Sequence, residues 1–156
     1  MLTSPRTVTV FRNEPIRDFA DPADRRSLED ALVRARADLG RRYPLVIGGE
    51  KLHGTGTIAS INPARPNEIV GVVDEASIPQ VSAALDAATA AFATWKKTSA
   101  QERADLLFRA AARIRETKDD WNAVLVLEVG KPWIEADADT AEAIDFLEFY
   151  GREALR

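Results

Sequence analysis

The sequence predicts a mainly α-helical chain with one small β element. Three observations carry that expectation. Alanine, the best helix former, fills 26 of the 156 positions. From Ser77 onward, apolar residues recur at alternating steps of three and four, the period of one helical face. The runs that read as strands, rich in β-branched and aromatic residues, lie within Tyr43–Val73, among turns marked by Gly and Pro. A chain of 156 residues fits one domain of the usual ~100–200.

Residues 1–23 carry Pro5, Pro15 and Pro22 and no helical period, so an extended arm is expected. Asp24 or Ser27 can cap a helix over about 25–39, with Leu28, Leu32, Ala35 and Leu39 on one face and Gly40 as its stop. Tyr43–Ile47 reads as a strand followed by a Gly48-Gly49 turn. Thr57–Ile61 and Ile69–Val73 read as a hairpin around a long loop, Asn62–Glu68. Val70, Val72 and Val73 predict a mostly buried second strand. The β element as a whole spans 44–73, and helices fill 78–156.

Ser77 with Gln80, and Ser99 with Glu102, have the spacing of capping boxes. The first opens a helix over 79–97 with Val81, Leu85, Ala88, Phe92 and Trp95 on one face. The second opens a helix over 100–117 with Arg103, Leu107, Ala110 and Ile114 on one face. Asp119 or Asp120 opens a third, which Gly130 ends. Pro132 suits the first turn of a fourth, running to about Arg156. That helix carries the stripe Glu135, Asp139, Glu142, Phe146 and Phe149, and nearly opposite it Ala143, Leu147, Tyr150 and Ala154. The pattern predicts burial on two sides. The stripes of 79–97, 100–117 and 133–156 are expected to pack on one another, with Trp95, Trp121 and Trp133 at helix ends and junctions.

Charge and composition exclude several functions. Net charge is −4, with no block of five like charges, which argues against nucleic acid as a partner. There is no cysteine, hence no thiol nucleophile and no Cys-bound metal. The single histidine, His53, sits in a polar stretch and reads as an exposed loop residue. No apolar run reaches ~18 residues, and the start lacks the pattern of a signal peptide, so a cytoplasmic protein without a membrane span is expected.

Two segments invite a chemical reading. Gly54-Thr55-Gly56-Thr57-Ile58-Ala59 matches G-x-G-x-x-A, but that fingerprint needs a following helix, and a β-rich run follows here. A link between strands is expected, with no cofactor contact. Glu142 is the candidate cleft carboxylate, because it is the acidic residue nearest the phenylalanines of its stripe. A carboxylate in a cleft must be paired, hydrogen-bonded or protonated.

Three further stretches resemble the N-terminal part of the aldehyde dehydrogenase superfamily: Tyr43–Glu50 (YPLVIGGE), Ser60–Ala64 (SINPA) and Glu128–Pro132 (EVGKP). The arm Phe11–Ile16 (FRNEPI) and Glu135–Phe146 with Tyr150 narrow the resemblance to the L-glutamate γ-semialdehyde (1-pyrroline-5-carboxylate) dehydrogenase branch. The resemblance runs from about Phe11 to Arg156. It implies a Rossmann-like α/β fold, of which residues 24–156 form the N-terminal part of the NAD-binding domain, without the catalytic domain and the rest of the cofactor domain. It implies a fragment of an enzyme oxidising L-glutamate γ-semialdehyde to L-glutamate with NAD, in proline degradation, acting as a homo-oligomer when complete. The family's nucleophilic cysteine lies beyond the matched part. The 156-residue chain alone is therefore expected to be inactive, to hold no catalytic residue, to bind no cofactor or metal, and to partner with the remainder of the dehydrogenase. By the same resemblance Glu142 approaches the substrate's ammonium group, Asp145 and Phe146 are its neighbours, and the backbone at Ser60 and Ile61 matches, weakly, the place of a monovalent cation. The competing readings are a non-catalytic helical interaction module and a dehydrogenase for another semialdehyde.

Overall fold

A computed structural model describes residues 10–156. Residues 1–9 of the expected arm lie outside the described residues. Five helices and five strands follow the arm: α1 (Pro22–Ala37), β1 (Arg41–Tyr43), β2 (Leu45–Ile47), β3 (Glu50–Leu52), β4 (Gly56–Asn62), β5 (Arg65–Glu75), α2 (Ile78–Trp95), α3 (Ala100–Glu116), α4 (Lys118–Val129) and α5 (Trp133–Glu153).

Helix α1 starts three residues before the expected 25. Asp21 Oδ1 accepts from the Ala23 N–H at 2.6 Å and Pro22 occupies the first turn, so neither Asp24 nor Ser27 caps it. The arm thus ends at Asp21. Gly40 does take a positive φ of 76°, but α1 has ended at Ala37; its N–H donates to Val70 O at 3.1 Å and leads the chain into the sheet.

The expected strand Tyr43–Ile47 is two strands in two sheets. Pro44 has no N–H to donate, and the ladder breaks there. β1 runs parallel to β5 in a three-stranded sheet of order β1-β5-β4. β2 pairs antiparallel with β3. Gly48 (φ 62°) and Gly49 (φ 91°) make their two-residue turn, as two central residues with positive φ should.

The β4–β5 hairpin is tighter than expected. Asn62 pairs with Arg65, leaving a turn of Pro63 and Ala64. The Asn62 side chain closes it: Oδ1 accepts from Ala64 N at 2.9 Å and Nδ2 donates to Glu68 Oε1 at 2.7 Å. Nor is β5 mostly buried. Val73 is exposed, Val70 and Val72 are half-buried, and the buried positions are Gly71 and Asp74.

Both capping boxes form. Ser77 with Gln80 and Ser99 with Glu102 each exchange side-chain and backbone bonds. Gly130 ends α4 with φ 74°. Pro132 is the N-cap of α5 rather than a first-turn residue, and α5 stops at Glu153.

The core lies between α1 and α4. Leu28, Ala31 and Ala123 are fully buried there, with Phe19, Leu32, Ala35 and Trp133 packed against them. Helices α3 and α5 approach closely through Ala104, Ala111 and Gly151; a Cβ on Gly151 would lie 2.6 Å from the Phe108 ring.

Helix α2 departs most from expectation. None of its 18 residues is buried; Val81, Leu85, Phe92 and Trp95 are exposed, and its neighbour is β2. Helix α5 departs in a second way. Neither expected stripe is its buried face, since Phe146, Phe149 and Tyr150 are all exposed. The buried face is Ala136, Asp137, Thr140, Ala141, Ile144 and Gly151. An aspartate lies in its middle because the helix buries a polar contact with the arm. Trp133 does pack at a junction, edge-to-face with Phe19 at 5.6 Å, whereas Trp95 and Trp121 are exposed. No helix among the described residues is long and apolar enough to cross a membrane.

Candidate functional site: a groove between the arm and α5

The arm crosses α5 and is fixed by two of its carboxylates, eight residues or about 12 Å apart along the axis. At the first, Asp137 is fully buried. Its Oδ2 accepts from the Arg17 N–H at 2.8 Å and from Lys118 Nζ at 2.9 Å, and its Oδ1 from Asn122 Nδ2 at 2.8 Å. Lys118 also donates to Pro15 O at 2.9 Å. The Arg17 guanidinium bridges Asp24 at 2.9 Å and Asp119 at 3.1 Å, and Ser27 Oγ donates to Asp119 at 2.6 Å. At the second carboxylate, Asp145 Oδ1 accepts from the Glu14 N–H and Oδ2 from Asn13 Nδ2, both at 2.7 Å. Charge-assisted bonds of this kind are about twice as strong as neutral ones.

Burying Lys118 and Asp119 in the first turn of α4 displaces its expected start. Thr117 holds the N-cap position without a capping bond from its side chain; its hydroxyl donates to Arg113 O at 3.0 Å and accepts from Trp121 Nε1 at 3.2 Å. Of this network only Asp145 was placed near the site from sequence; Arg17, Lys118, Asn122 and Asp137 were missed. Lys118 and Asp137 carry no local signal of this role, because the arm groups that meet them, Pro15 O and the Arg17 N–H, lie more than 100 residues earlier.

Between arm and α5 lies a shallow groove of about 510 Å³, lined by Asn13, Glu14, Ile16, Ala138, Asp139, Ala141, Glu142 and Asp145. Four of these are carboxylates and none is a cation. Three are already engaged: Glu14 with Arg115 at 2.8 Å, Asp139 with Lys131, and Asp145 with the arm. Glu142 is exposed and, among the described residues, has no hydrogen-bond or ion-pair partner. Toward the end of α5 an exposed aromatic cluster follows. Phe146 stacks on Tyr150 at 6.0 Å, and Phe149 meets Tyr150 and Phe11 edge-on at 5.4 and 5.6 Å.

The remaining sequence candidates lie elsewhere. Gly54 and Thr55 lie in the link between β3 and β4, and Gly56–Ala59 are the first residues of β4, a strand where the fingerprint needs a helix. A Cβ on Gly54 would come 2.2 Å from Glu75 O, so this glycine permits a backbone approach. The Gln80 side chain, in the first turn of α2, donates to His53 O at 2.9 Å beside this segment. Ser60 and Ile61 lie in β4 at irregularities of its register, and Ser60 Oγ donates to Glu128 at 2.7 Å. Among the described residues no group of three acidic, His or Cys side chains could hold a metal. His53 is exposed, but its Nδ1 lies 3.1 Å from Asp74 Oδ2. Burial pushes the Asp74 carboxyl up; hydrogen bonds from Arg42, His53 and the Gly54 N–H, with the Arg42 charge, outweigh it and hold the group below its ordinary value. A second, more apolar groove of about 620 Å³ runs between α1, α4 and the three-stranded sheet, past Leu39, Tyr43, Val73, Trp121 and Leu127.

Comparison with known proteins places this geometry. The 1-pyrroline-5-carboxylate dehydrogenase of Bacillus pumilus is 50% identical over 147 residues, covering 94% of this chain and 28% of that protein. The Geobacillus kaustophilus protein of the same name is 51% identical over 149 residues, covering 96% and 29%. A crystal structure of 1-pyrroline-5-carboxylate dehydrogenase from Thermus with bound NAD superposes with a TM-score of 0.93 at 49% identity, over 96% of this chain and 29% of that one. The Mycobacterium tuberculosis Δ-pyrroline-5-carboxylate dehydrogenase bound with NAD and cobalamin superposes at 0.87 with 29% identity, over 97% and 29%. The chain thus spans 28–29% of the length of these relatives. Its helices and small sheets are part of the fold those neighbours share. Residues 51–156 match the aldehyde dehydrogenase family, and the chain belongs to it.

Proposed function

We propose that this chain is the N-terminal part of the NAD-binding domain of a dehydrogenase that oxidises L-glutamate γ-semialdehyde to L-glutamate, and that the groove between arm and α5 receives the amino-acid end of the substrate. The relatives' names support the reaction class. The observation that carries the site is Glu142, the one groove carboxylate without a partner among the described residues. The substrate has a reactive aldehyde at one end and an ammonium at the other. An unengaged carboxylate beside the arm gains a charge-assisted hydrogen bond from that ammonium. Binding energy from this non-reacting end orients the aldehyde end, which is how remote contacts assist a reaction.

NAD serves the complete enzyme as hydride acceptor. The role proposed for this chain is substrate orientation. The remainder of the dehydrogenase, the small aldehyde substrate and further copies of the enzyme are its proposed partners.

The test is an assay of a full-length dehydrogenase carrying this segment, following NADH absorbance. Turnover of the amino-acid aldehyde is expected to exceed that of an aliphatic aldehyde of equal length by roughly tenfold or more in kcat/KM, the worth of one charge-assisted bond. Equal efficiency on both would make the protein a general aldehyde dehydrogenase and leave the groove without its assigned role.

A further inference from the structure

We propose that Asp145 is a positioning residue for the groove: its carboxylate sets the arm segment Asn13–Ile16 as a second wall at a fixed separation from Glu142. This inference rests on the reading of Glu142 given above.

Helix α5 supplies one wall and the arm the other. Asp145 follows Glu142 by three residues, so the two share a helix face. Both Asp145 oxygens hold the arm, one through the Glu14 N–H and one through the Asn13 amide, each at 2.7 Å. A carboxylate only accepts, so the amide must present its NH2 to Asp145. Its carbonyl oxygen, an acceptor, is the amide atom that remains for the groove. Asn13 and Glu142 then offer two acceptors from opposite walls, an arrangement suited to an ammonium with several donors.

The rest of the arm is fixed independently. Glu14 pairs with Arg115 at 2.8 Å, Pro15 O accepts from Lys118, and the Arg17 N–H donates to Asp137. Loss of the Asp145 carboxylate therefore frees the Asn13 end while the buried network stays in place. That separates a positioning role from a role in folding.

The experiment uses a full-length dehydrogenase carrying this segment, assayed on L-glutamate γ-semialdehyde and on an aliphatic aldehyde of equal length. Asp145→Asn is expected to raise KM for the amino-acid aldehyde roughly tenfold, inside the ~100-fold that a 1 Å misplacement can cost. The change should fall on KM rather than kcat and should spare the aliphatic aldehyde. The double variant Asn13→Asp, Asp145→Asn exchanges donor and acceptor, keeps the groove's net charge, and should restore KM. Equal losses on both aldehydes, or a double variant that regains thermal stability but not KM, would overturn the proposal. Glu142→Gln is the reference. If it leaves discrimination intact, the reading of the groove fails; if it abolishes discrimination while Asp145→Asn does not, only the positioning role fails. Should Asp145→Asn not fold, Asn13→Ala removes one exposed bond and should raise the same KM about threefold; no change in that KM would equally overturn the proposal.

Discussion

Lys118 Nζ lies 2.9 Å from Asp137 Oδ2, and neither side chain is more than 5% exposed. Such a pair forms only where the remaining valences are met, and here the arm meets them: Pro15 O accepts from the ammonium and the Arg17 N–H donates to the carboxylate. A pair of this kind adds little net stability over an apolar replacement, but removing one partner leaves a buried charge. The arm is therefore a structural component of the helical core.

Asp137→Ala is expected to lower the free energy of unfolding by about 3–5 kcal/mol, a large part of the 5–15 kcal/mol of a typical domain. Chemical denaturation measures it. A loss below about 1 kcal/mol, the range of an exposed pair, would contradict the role of this node.

Asp74 gives the sheet an acid-sensitive contact. Its folded-state carboxyl titrates below the ordinary value of 3.8. A group depressed on folding contributes stability that is fully present above its unfolded value and is lost as pH falls through its folded one. The stability gap between the parent chain and Asp74→Asn should therefore be widest above about pH 5 and shrink toward pH 2. A gap that stays constant across that range would show that the Arg42 and His53 contacts do not favour the ionised form.

Gly130 and Gly40 separate backbone conformation from crowding. Both have positive φ, 74° and 76°. A Cβ on Gly130 would lie 2.9 Å from the Pro63 ring, whereas one on Gly40 meets nothing within 4 Å. Gly40→Ala should cost about 1–2 kcal/mol, the left-handed penalty. Gly130→Ala should cost that plus roughly 1–3 kcal/mol for overlap. Equal losses in denaturation would mean that the turn after β4 does not press on the α4–α5 junction.

Helix α2 exposes Val81, Leu85, Phe92 and Trp95 along one stripe. Apolar patches beyond a few hundred Å² favour association. The 156-residue chain should bind a hydrophobic dye and sediment as oligomers, and Leu85→Glu with Phe92→Glu should reduce both. A monomer that binds no dye would mean the stripe is covered in solution.

What was legible in the sequence was local. The capping boxes at Ser77 and Ser99, the Gly48-Gly49 turn and the Gly130 stop each depend on residues at most a few positions apart, and each formed. What failed needed distant partners. Lys118 and Asp137 look like solvated charges until Pro15 and Arg17, more than 100 residues earlier, meet them. The true buried face of α5 was hidden for that reason, since it has an aspartate where periodicity looks for an apolar residue. Periodicity also does not say what a stripe packs against, which is why α2 was expected in the core. Pro44 divided a strand whose apolar run masked the missing N–H. For the groove, the sequence aligned Glu142 with Phe146. It could not show that Glu14, Asp139 and Asp145 have partners and that Glu142 has none among the described residues.

The most direct test of the central claim is kcat/KM of Glu142→Ala in a full-length dehydrogenase carrying this segment, on L-glutamate γ-semialdehyde and on an aliphatic aldehyde, with Glu135→Ala as the control on the same helix stripe. Loss of one charge-assisted bond of about 1.5–3 kcal/mol corresponds to a drop of roughly 10- to 150-fold. That drop is expected for the amino-acid aldehyde alone, and at Glu142 alone. Equal losses on both aldehydes, or equal losses at Glu135 and Glu142, would contradict the account and leave Glu142 a structural residue of α5.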